Sequence, residues 1–260
     1  MLNNLSSELN MLRPSMLQTA LEVVAFNLNR RNNNLRLFEF GKTYKTSGVG
    51  EYEETNHLCL YATGQVSDNS WKGKGEAADV YYIKGVASSL FTTLNVKGVS
   101  FERAEAKDFD ASLAVFVGKE KLGEIGLVKK AITSKFDVKQ QVIYGDFNWD
   151  RLMKKAGGRV QFKEIPKYPA VERDLAMVVP KNMTYGEIPE QIKKLRIQQL
   201  QDVRLFDVFE SEKLGKDKKS LAVNFTFLDE EKTLTDKEID GWMNKIMAAL
   251  ENTLGAEIRK

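Results

Sequence analysis

One cysteine, Cys59, and one histidine, His57, are all that 260 residues offer of the two best metal-binding side chains. A single thiol excludes an internal disulfide. Cys59 and His57, two residues apart on a strand, supply two ligands where zinc takes three or four. No apolar run approaches the 18 residues of a membrane-spanning helix. The opening MLNNLSSELN has neither the basic start nor the apolar stretch of a secretory signal. A cytoplasmic setting is expected, with no membrane partner. A phosphate loop is missing too: Gly73-Lys-Gly75 lacks the earlier glycine and the following Ser/Thr. Neither GxSxG nor a recognisable frame of paired catalytic carboxylates occurs, so no catalytic or metal-binding residue is assigned.

An excess of one charge is also lacking. The net charge is +3. Residues 165–260 carry 16 Lys+Arg against 17 Asp+Glu, and residues 1–164 carry 23 against 19. Neither part is a polycation that would coat duplex DNA by neutralising phosphates, so no DNA partner is expected. Any nucleic-acid contact must come from local constellations. The densest is Lys213-Leu-Gly-Lys216-Asp-Lys218-Lys219, net +3 over seven residues.

What is present is a soluble, globular composition, 42% apolar and 29% charged, long enough for two domains. Leu12–Arg31 reads as a helix, with Pro14 in its first turn and Leu17, Leu21, Val24 and Leu28 at helical spacing. Met16, Ala20, Val23 and Phe26 widen its apolar surface. Asn32–Asn34 end it. Leu35–Lys45 and Thr55–Gly64 read as strands, and Gln65–Glu76 as a polar loop. Asp79 caps a second helix with Val80, Ile83, Val86, Leu90 and Leu94 inward. Strands then alternate with turns from Val99 to Val128, with a hairpin loop at Gly118–Lys121. A short helix near Lys129–Phe136, a strand at Gln141–Trp149 and a turn at Gly157-Gly158 follow.

Glu164-Ile-Pro-Lys-Tyr-Pro169 is the boundary, since two prolines three apart resist helix and central strand alike. The expected domains are 1–163 and 164–260. The second reads β-α-β-β-α-β: strand Arg173–Val179, helix Tyr185–Leu195, strands Leu200–Phe209 and Ser220–Leu228, helix Thr235–Leu254, strand Ala256–Arg259. Thr235 and Glu238 have capping-box spacing. That order is the ferredoxin-like split βαβ layout, and the fold class is α+β.

In such a fold one sheet face packs on the helices and the other can meet a ligand. Strict alternation along Leu205-Phe-Asp-Val-Phe209 puts Leu205, Asp207 and Phe209 on one face, with Phe206 and Val208 supplying the core. An Asp accepts hydrogen bonds from a guanine edge, and an aromatic ring offers a stacking surface to an unpaired base. An edge-strand Asp beside a partly buried Phe is the plainer reading. On residue types alone both stay open, as does a small-molecule effector module, which this fold also serves.

Four segments decide between them by resemblance. Tyr168-Pro-Ala-Val-Glu-Arg-Asp-Leu-Ala-Met-Val-Val179, Leu205-Phe-Asp-Val-Phe209, Lys218-Lys-Ser-Leu-Ala222 and Thr233-Leu-Thr-Asp-Lys-Glu238 occur in order at compatible spacing. Together they resemble the anticodon-binding domain of the bacterial phenylalanyl-tRNA synthetase beta subunit. Asn4-Leu-Ser-Ser-Glu-Leu-Asn-Met-Leu-Arg13, Leu37-Phe-Glu-Phe-Gly41, Tyr82-Ile-Lys-Gly85 and Leu122-Gly-Glu-Ile-Gly126 are similar to the catalytic-like core domain of the same subunit. The resemblance implies an inactive class II synthetase-like antiparallel sheet domain followed by the ferredoxin-like one. It also implies a C-terminal portion of a longer subunit, packed on a catalytic alpha subunit in an (αβ)₂ assembly. ATP and magnesium would serve the complete enzyme and no cofactor this portion.

Carried over residue by residue, the resemblance makes Ala176 a small position that lets a base approach and Asp207 the partner of the first anticodon base, a guanine. Phe209 would stack on that base, and Ser220 would hydrogen-bond nearby. The family mostly carries Tyr at position 209, so the stacking face remains and the hydroxyl is lost. Lys218 and Lys219 are expected at phosphates on electrostatic grounds. Arg173 is a further RNA-facing candidate, with an ion pair to Asp174 at the strand entrance as its structural alternative.

Overall fold

The computed structural model describes residues 11–158, 162 and 164–259, and its internal contacts divide the chain into Met1–Gln161 and Phe162–Lys260. In the first unit, helix α1 (Leu17–Leu28) precedes the long hairpin β1 (Leu35–Gly48) and β2 (Glu51–Thr63). Helix α2 (Val80–Thr93), strands β3 (Val99–Ala104), β4 (Phe109–Val117) and β5 (Glu120–Val128), and the short α3 (Lys130–Thr133) follow. Strand β6 (Val142–Asn148) and helix α4 (Trp149–Lys155) complete it. The six strands form one antiparallel sheet in the order β1-β2-β6-β5-β4-β3.

Both faces of that sheet are covered. Leu58, Leu60 and Ala62 of β2 pack with Ile83, Ala87 and Phe91 of α2. Cys59 and Tyr61 pack on the other face with Leu17, Ala20, Leu21 and Val24 of α1. A strand buried on both sides needs a continuous apolar run, and Leu58–Ala62 is one.

The first helix is shorter than its periodicity suggests. Tyr44 N–H donates to the Arg13 carbonyl at 3.0 Å, which ties the segment before α1 to β1 and keeps Pro14 outside the helix. Met16 and Ala20 are buried in the unit's own core, so the apolar surface expected on this helix reduces to Val23 and Phe26. The segment Asn4–Asn10 lies outside the described residues. In α2, Asp79 accepts from Tyr82 N–H at 2.7 Å as its cap. Val86 is exposed instead of buried, because the inward line runs through Ile83, Ala87 and Phe91 at i, i+4 spacing. Helix α4 was not expected at all: Asn148 ends β6 and caps the new helix, accepting from Arg151 N–H at 2.8 Å.

The second unit contains β7 (Val171–Pro180), α5 (Glu187–Lys194), β8 (Leu200–Phe209), β9 (Lys218–Phe227), α6 (Asp236–Leu254) and β10 (Glu257–Arg259). Its antiparallel sheet runs β10-β7-β9-β8, the ferredoxin-like arrangement. Leu175, Met177 and Val179 of β7 and Leu221, Val223, Phe225 and Phe227 of β9 pack under Ile188 and Ile192 of α5 and Ile239, Met243, Ile246 and Leu250 of α6. Thr235 and Glu238 form the capping box, with Thr235 N–H donating to the Glu238 carboxylate at 3.0 Å.

Candidate nucleic-acid interface

Alternation on β9 decides what the uncovered face of the second sheet presents. Its odd residues, Leu221 to Phe227, go to the helices, so Ser220, Ala222, Asn224 and Thr226 face away from them. Register then sets the neighbours. Asp207 of β8 lies opposite Ala222, and Ala222 opposite Ala176 of β7. In the next row Phe209 lies opposite Ser220, and Ser220 opposite Val178. Asp207, Phe209, Ala176 and Ser220 therefore share one patch. Asp207 is exposed, Phe209 is half exposed, Ser220 is buried at 6% exposure, and the two alanines leave a shallow floor beside the carboxylate.

The route by which β8 delivers these residues differs from simple alternation. Leu205 pairs with Val223 and packs on the helix-covered core. Continued period-two geometry would carry Asp207 and Phe209 inward with it. A register shift between Leu205 and Asp207 reverses the parity: Phe206 and Asp207 together oppose Ala222. Leu205 is thus not on the face of Asp207, and Phe206 and Val208 do not supply the core, being 52% and 50% exposed. No turn or glycine signal in the sequence marks this bulge. The Tyr185 hydroxyl helps to fix the strand by donating to the Val203 carbonyl at 2.5 Å, and burial pushes that phenol's pKa up.

The cationic candidates separate. Lys218 lies opposite Pro180 at the end of the uncovered face, where its ammonium pairs with Glu257. Lys219 lies opposite Val179 on the helix side and donates to the Met183 carbonyl at 2.6 Å, so it is not brought to the patch. Arg173 is likewise on the helix side, opposite Phe225. Its guanidinium pairs with Asp236, the first residue of α6, at 2.7 Å. The ion pair expected between Arg173 and Asp174 does not form, because adjacent strand residues point to opposite faces. Asp174 instead accepts from the Asn224 amide at 2.7 Å. The side chain of Lys213 lies outside the described residues.

In the first unit several polar groups near β1 and β2 are paired with one another. His57 Nδ1 is 2.6 Å from the Asp146 carboxylate and Nε2 is 2.8 Å from the Thr43 hydroxyl. Cys59 lies 3.0 Å from the Tyr144 hydroxyl, and burial pushes the pKa of both groups up. Arg13 binds Glu39 at 2.8 Å and the Lys42 carbonyl at 2.9 Å, and Lys42 binds Glu54 at 2.9 Å.

Two family models match this sequence. One, described as "Phenylalanyl tRNA synthetase beta chain CLM domain", covers residues 1–149, and the other, "Ferredoxin-fold anticodon binding domain", covers residues 166–259. The chain belongs to the phenylalanyl-tRNA synthetase beta-chain family. It is 38% identical over 271 residues to the phenylalanine–tRNA ligase beta subunit of Bacteroides fragilis, 33% over 262 residues to that of Carboxydothermus hydrogenoformans, and 32% over 255 residues to that of Streptococcus pneumoniae. These alignments cover 100%, 100% and 96% of this chain and 33%, 33% and 32% of the relatives. The chain thus spans about a third of the length of the curated relatives it matches.

The ligase family implies ATP and magnesium, and the donor set here does not fit them. Among the described residues no group of three or more His, Cys, Asp or Glu is arranged to hold a metal ion. Arg13 and Lys42, beside and on the middle of β1, are each engaged by a carboxylate. No helix among the described residues is long and apolar enough to cross a membrane.

Proposed function

We propose that residues 164–260 bind the anticodon of phenylalanine tRNA on the uncovered sheet face, and that residues 1–163 pack on a catalytic alpha subunit. The whole would be a phenylalanine–tRNA ligase, an (αβ)₂ heterotetramer of the cytoplasm that charges tRNA with phenylalanine. ATP and magnesium would act in the complete enzyme, away from this chain's residues. Asp207 accepts from the Watson–Crick edge of a guanine, Phe209 stacks on the base, and Ala176 and Ala222 let it approach. Ser220 lines the floor beside the ring, and Lys218 steers phosphate from the rim. The observation that carries this reading is the row Asp207–Ala222–Ala176, with Phe209 beside it, on the one face the helices leave free.

The test is titration of the chain at low salt with phenylalanine tRNA and with a tRNA altered only at the first anticodon base. The wild type should prefer guanine there, and Asp207→Ala should erase the preference while keeping most of the affinity. Equal binding of the two tRNAs by the wild type would sink the assignment.

A further inference from the structure

Three large apolar side chains stand in solvent within four residues at the outer edge of the second sheet. Phe206, Val208 and Phe209 are 52%, 50% and 53% exposed. An edge strand with such a surface ordinarily invites another strand to pair with it. The bulge between Leu205 and Asp207 works against that, because it bends the strand and breaks the ladder in the middle of the apolar stretch. Rings presented on an edge too irregular for a strand suit flat ligands.

Phe206 follows the core-packed Leu205, so alternation aims it to the uncovered side, and it shares Ala222 with Asp207. The same bulge that turns Asp207 and Phe209 outward therefore leaves a second ring outward on the other side of the carboxylate. The two phenylalanines lie three residues apart, at most about 10 Å along the strand. That is room for two neighbouring bases splayed from an RNA loop, one on each ring.

We infer that Phe206 is a second stacking surface, taking the nucleobase adjacent to the one on Phe209, with Asp207 reading a base edge between them. This rests on the anticodon reading of Leu205–Phe209 and extends it from one base to two. It makes the strand end a two-base clamp.

The experiment uses the 260-residue chain and phenylalanine-tRNA anticodon stem-loops, each with 2-aminopurine at one loop position. Stacking on an aromatic ring quenches that base. The wild type should quench two adjacent positions. Phe206→Ala should restore the fluorescence of one of them alone and weaken binding by roughly 5- to 150-fold, one base's worth of stacking. Phe206→Tyr, which keeps the ring, should restore both quench and affinity. If Phe206→Ala changes neither while Phe209→Ala relieves a position, the second surface is wrong and the anticodon reading stands. Relief of both positions by Phe206→Ala would mean the ring positions the loop as a whole, which also overturns the inference. Should neither Ala variant alter binding, the anticodon reading falls and takes this one with it.

Discussion

Glycine-to-alanine substitution should have opposite signs at two positions, and the structure supplies both magnitudes. Gly123 sits on β5 opposite Phe147 of β6. A Cβ there would lie 2.2 Å from the Asp146 carbonyl oxygen and 2.8 Å from the Phe147 ring. The oxygen is backbone, so reaching ordinary contact at 3.4 Å means moving a central strand by about 1 Å. Overpacking of this kind costs about 1–3 kcal/mol, and each ladder hydrogen bond that opens adds about 0.5–1.5 kcal/mol. Gly123→Ala should therefore destabilise the first unit by about 3 kcal/mol or more. Gly241 lies in the second turn of α6, and nothing stands within 4 Å of its added Cβ. Gly241→Ala should stabilise the second unit by about 1 kcal/mol, the helix-propensity difference. Trp71 and Trp149 lie in the first unit and Trp242 in the second. Urea titration of 5-fluorotryptophan-labelled protein, followed by fluorine NMR, therefore reads each unit separately. A cost below about 0.5 kcal/mol for Gly123→Ala, or any loss from Gly241→Ala, would show that the backbone is not spaced in this way.

Phe40 is 55% exposed on the edge strand β1, edge-on to Trp149 at 4.8 Å and to Phe38, itself 68% exposed, at 6.2 Å. Phe40→Ala in the assembled enzyme should weaken alpha–beta association at least tenfold while the chain alone melts normally; unchanged association by analytical ultracentrifugation would remove this edge from the interface. Arg173→Ala should cost no more than about 1 kcal/mol, since its pair with Asp236 is solvent-exposed, and should leave tRNA affinity within twofold; a large affinity loss in the same titration would return Arg173 to the RNA. The Glu238 carboxyl is held down to about 2, chiefly by the Lys232 ammonium and then by Thr235 donors. A lowered folded value stabilises above the ordinary glutamate range and loses that effect as pH falls from about 4.5 towards 2. Glu238→Gln should accordingly flatten acid unfolding of the second unit in that window, and identical curves by circular dichroism would refute the linkage.

The layout of the second unit was legible because its signals are local. Alternation marks β7 and β9, and Thr235 with Glu238 announces α6. The patch itself was legible through resemblance, but its geometry was not. Period two carried on from Leu205 puts Asp207 and Phe209 on the uncovered face, where they lie, for the wrong reason, because the parity reverses at a bulge set by the β8–β9 register. Lys219 was assigned to phosphate on charge alone and Arg173 to an ion pair with Asp174, whereas alternation sends both side chains to the helix side. In the first unit, α4 escaped because Trp149 continues the apolar trend of β6 and only the Asn148 cap interrupts it. The glycines of Leu122-Gly-Glu-Ile-Gly126 acquire a physical meaning only in three dimensions. Gly123 must admit the Asp146 carbonyl, and Gly126 the Phe109 ring, 2.4 Å from where its Cβ would stand.

The residue pattern of β9 carries the last prediction. A face that meets a nucleobase needs a low floor, and Ser220, Ala222, Asn224 and Thr226 supply only small or polar side chains opposite the large ones in the core. Ala222 is the centre of that floor, flanked by Asp207 on one strand and Ala176 on the other. Ala222→Leu would raise a branched side chain between the carboxylate and the space a base must enter. The position is not packed by either helix, so stability should change by no more than about 1 kcal/mol. Affinity for phenylalanine tRNA should nevertheless fall at least tenfold, because the base loses both its stacking approach and its hydrogen-bonded edge. Thr226→Leu is the matched control. It adds bulk to the same face of the same strand, about 13 Å from Ala222, and should leave affinity within twofold. Filter binding at fixed salt compares them directly. If both variants bind alike, or if Ala222→Leu binds as the wild type does, the base does not rest on this row and the site must be sought elsewhere on the chain.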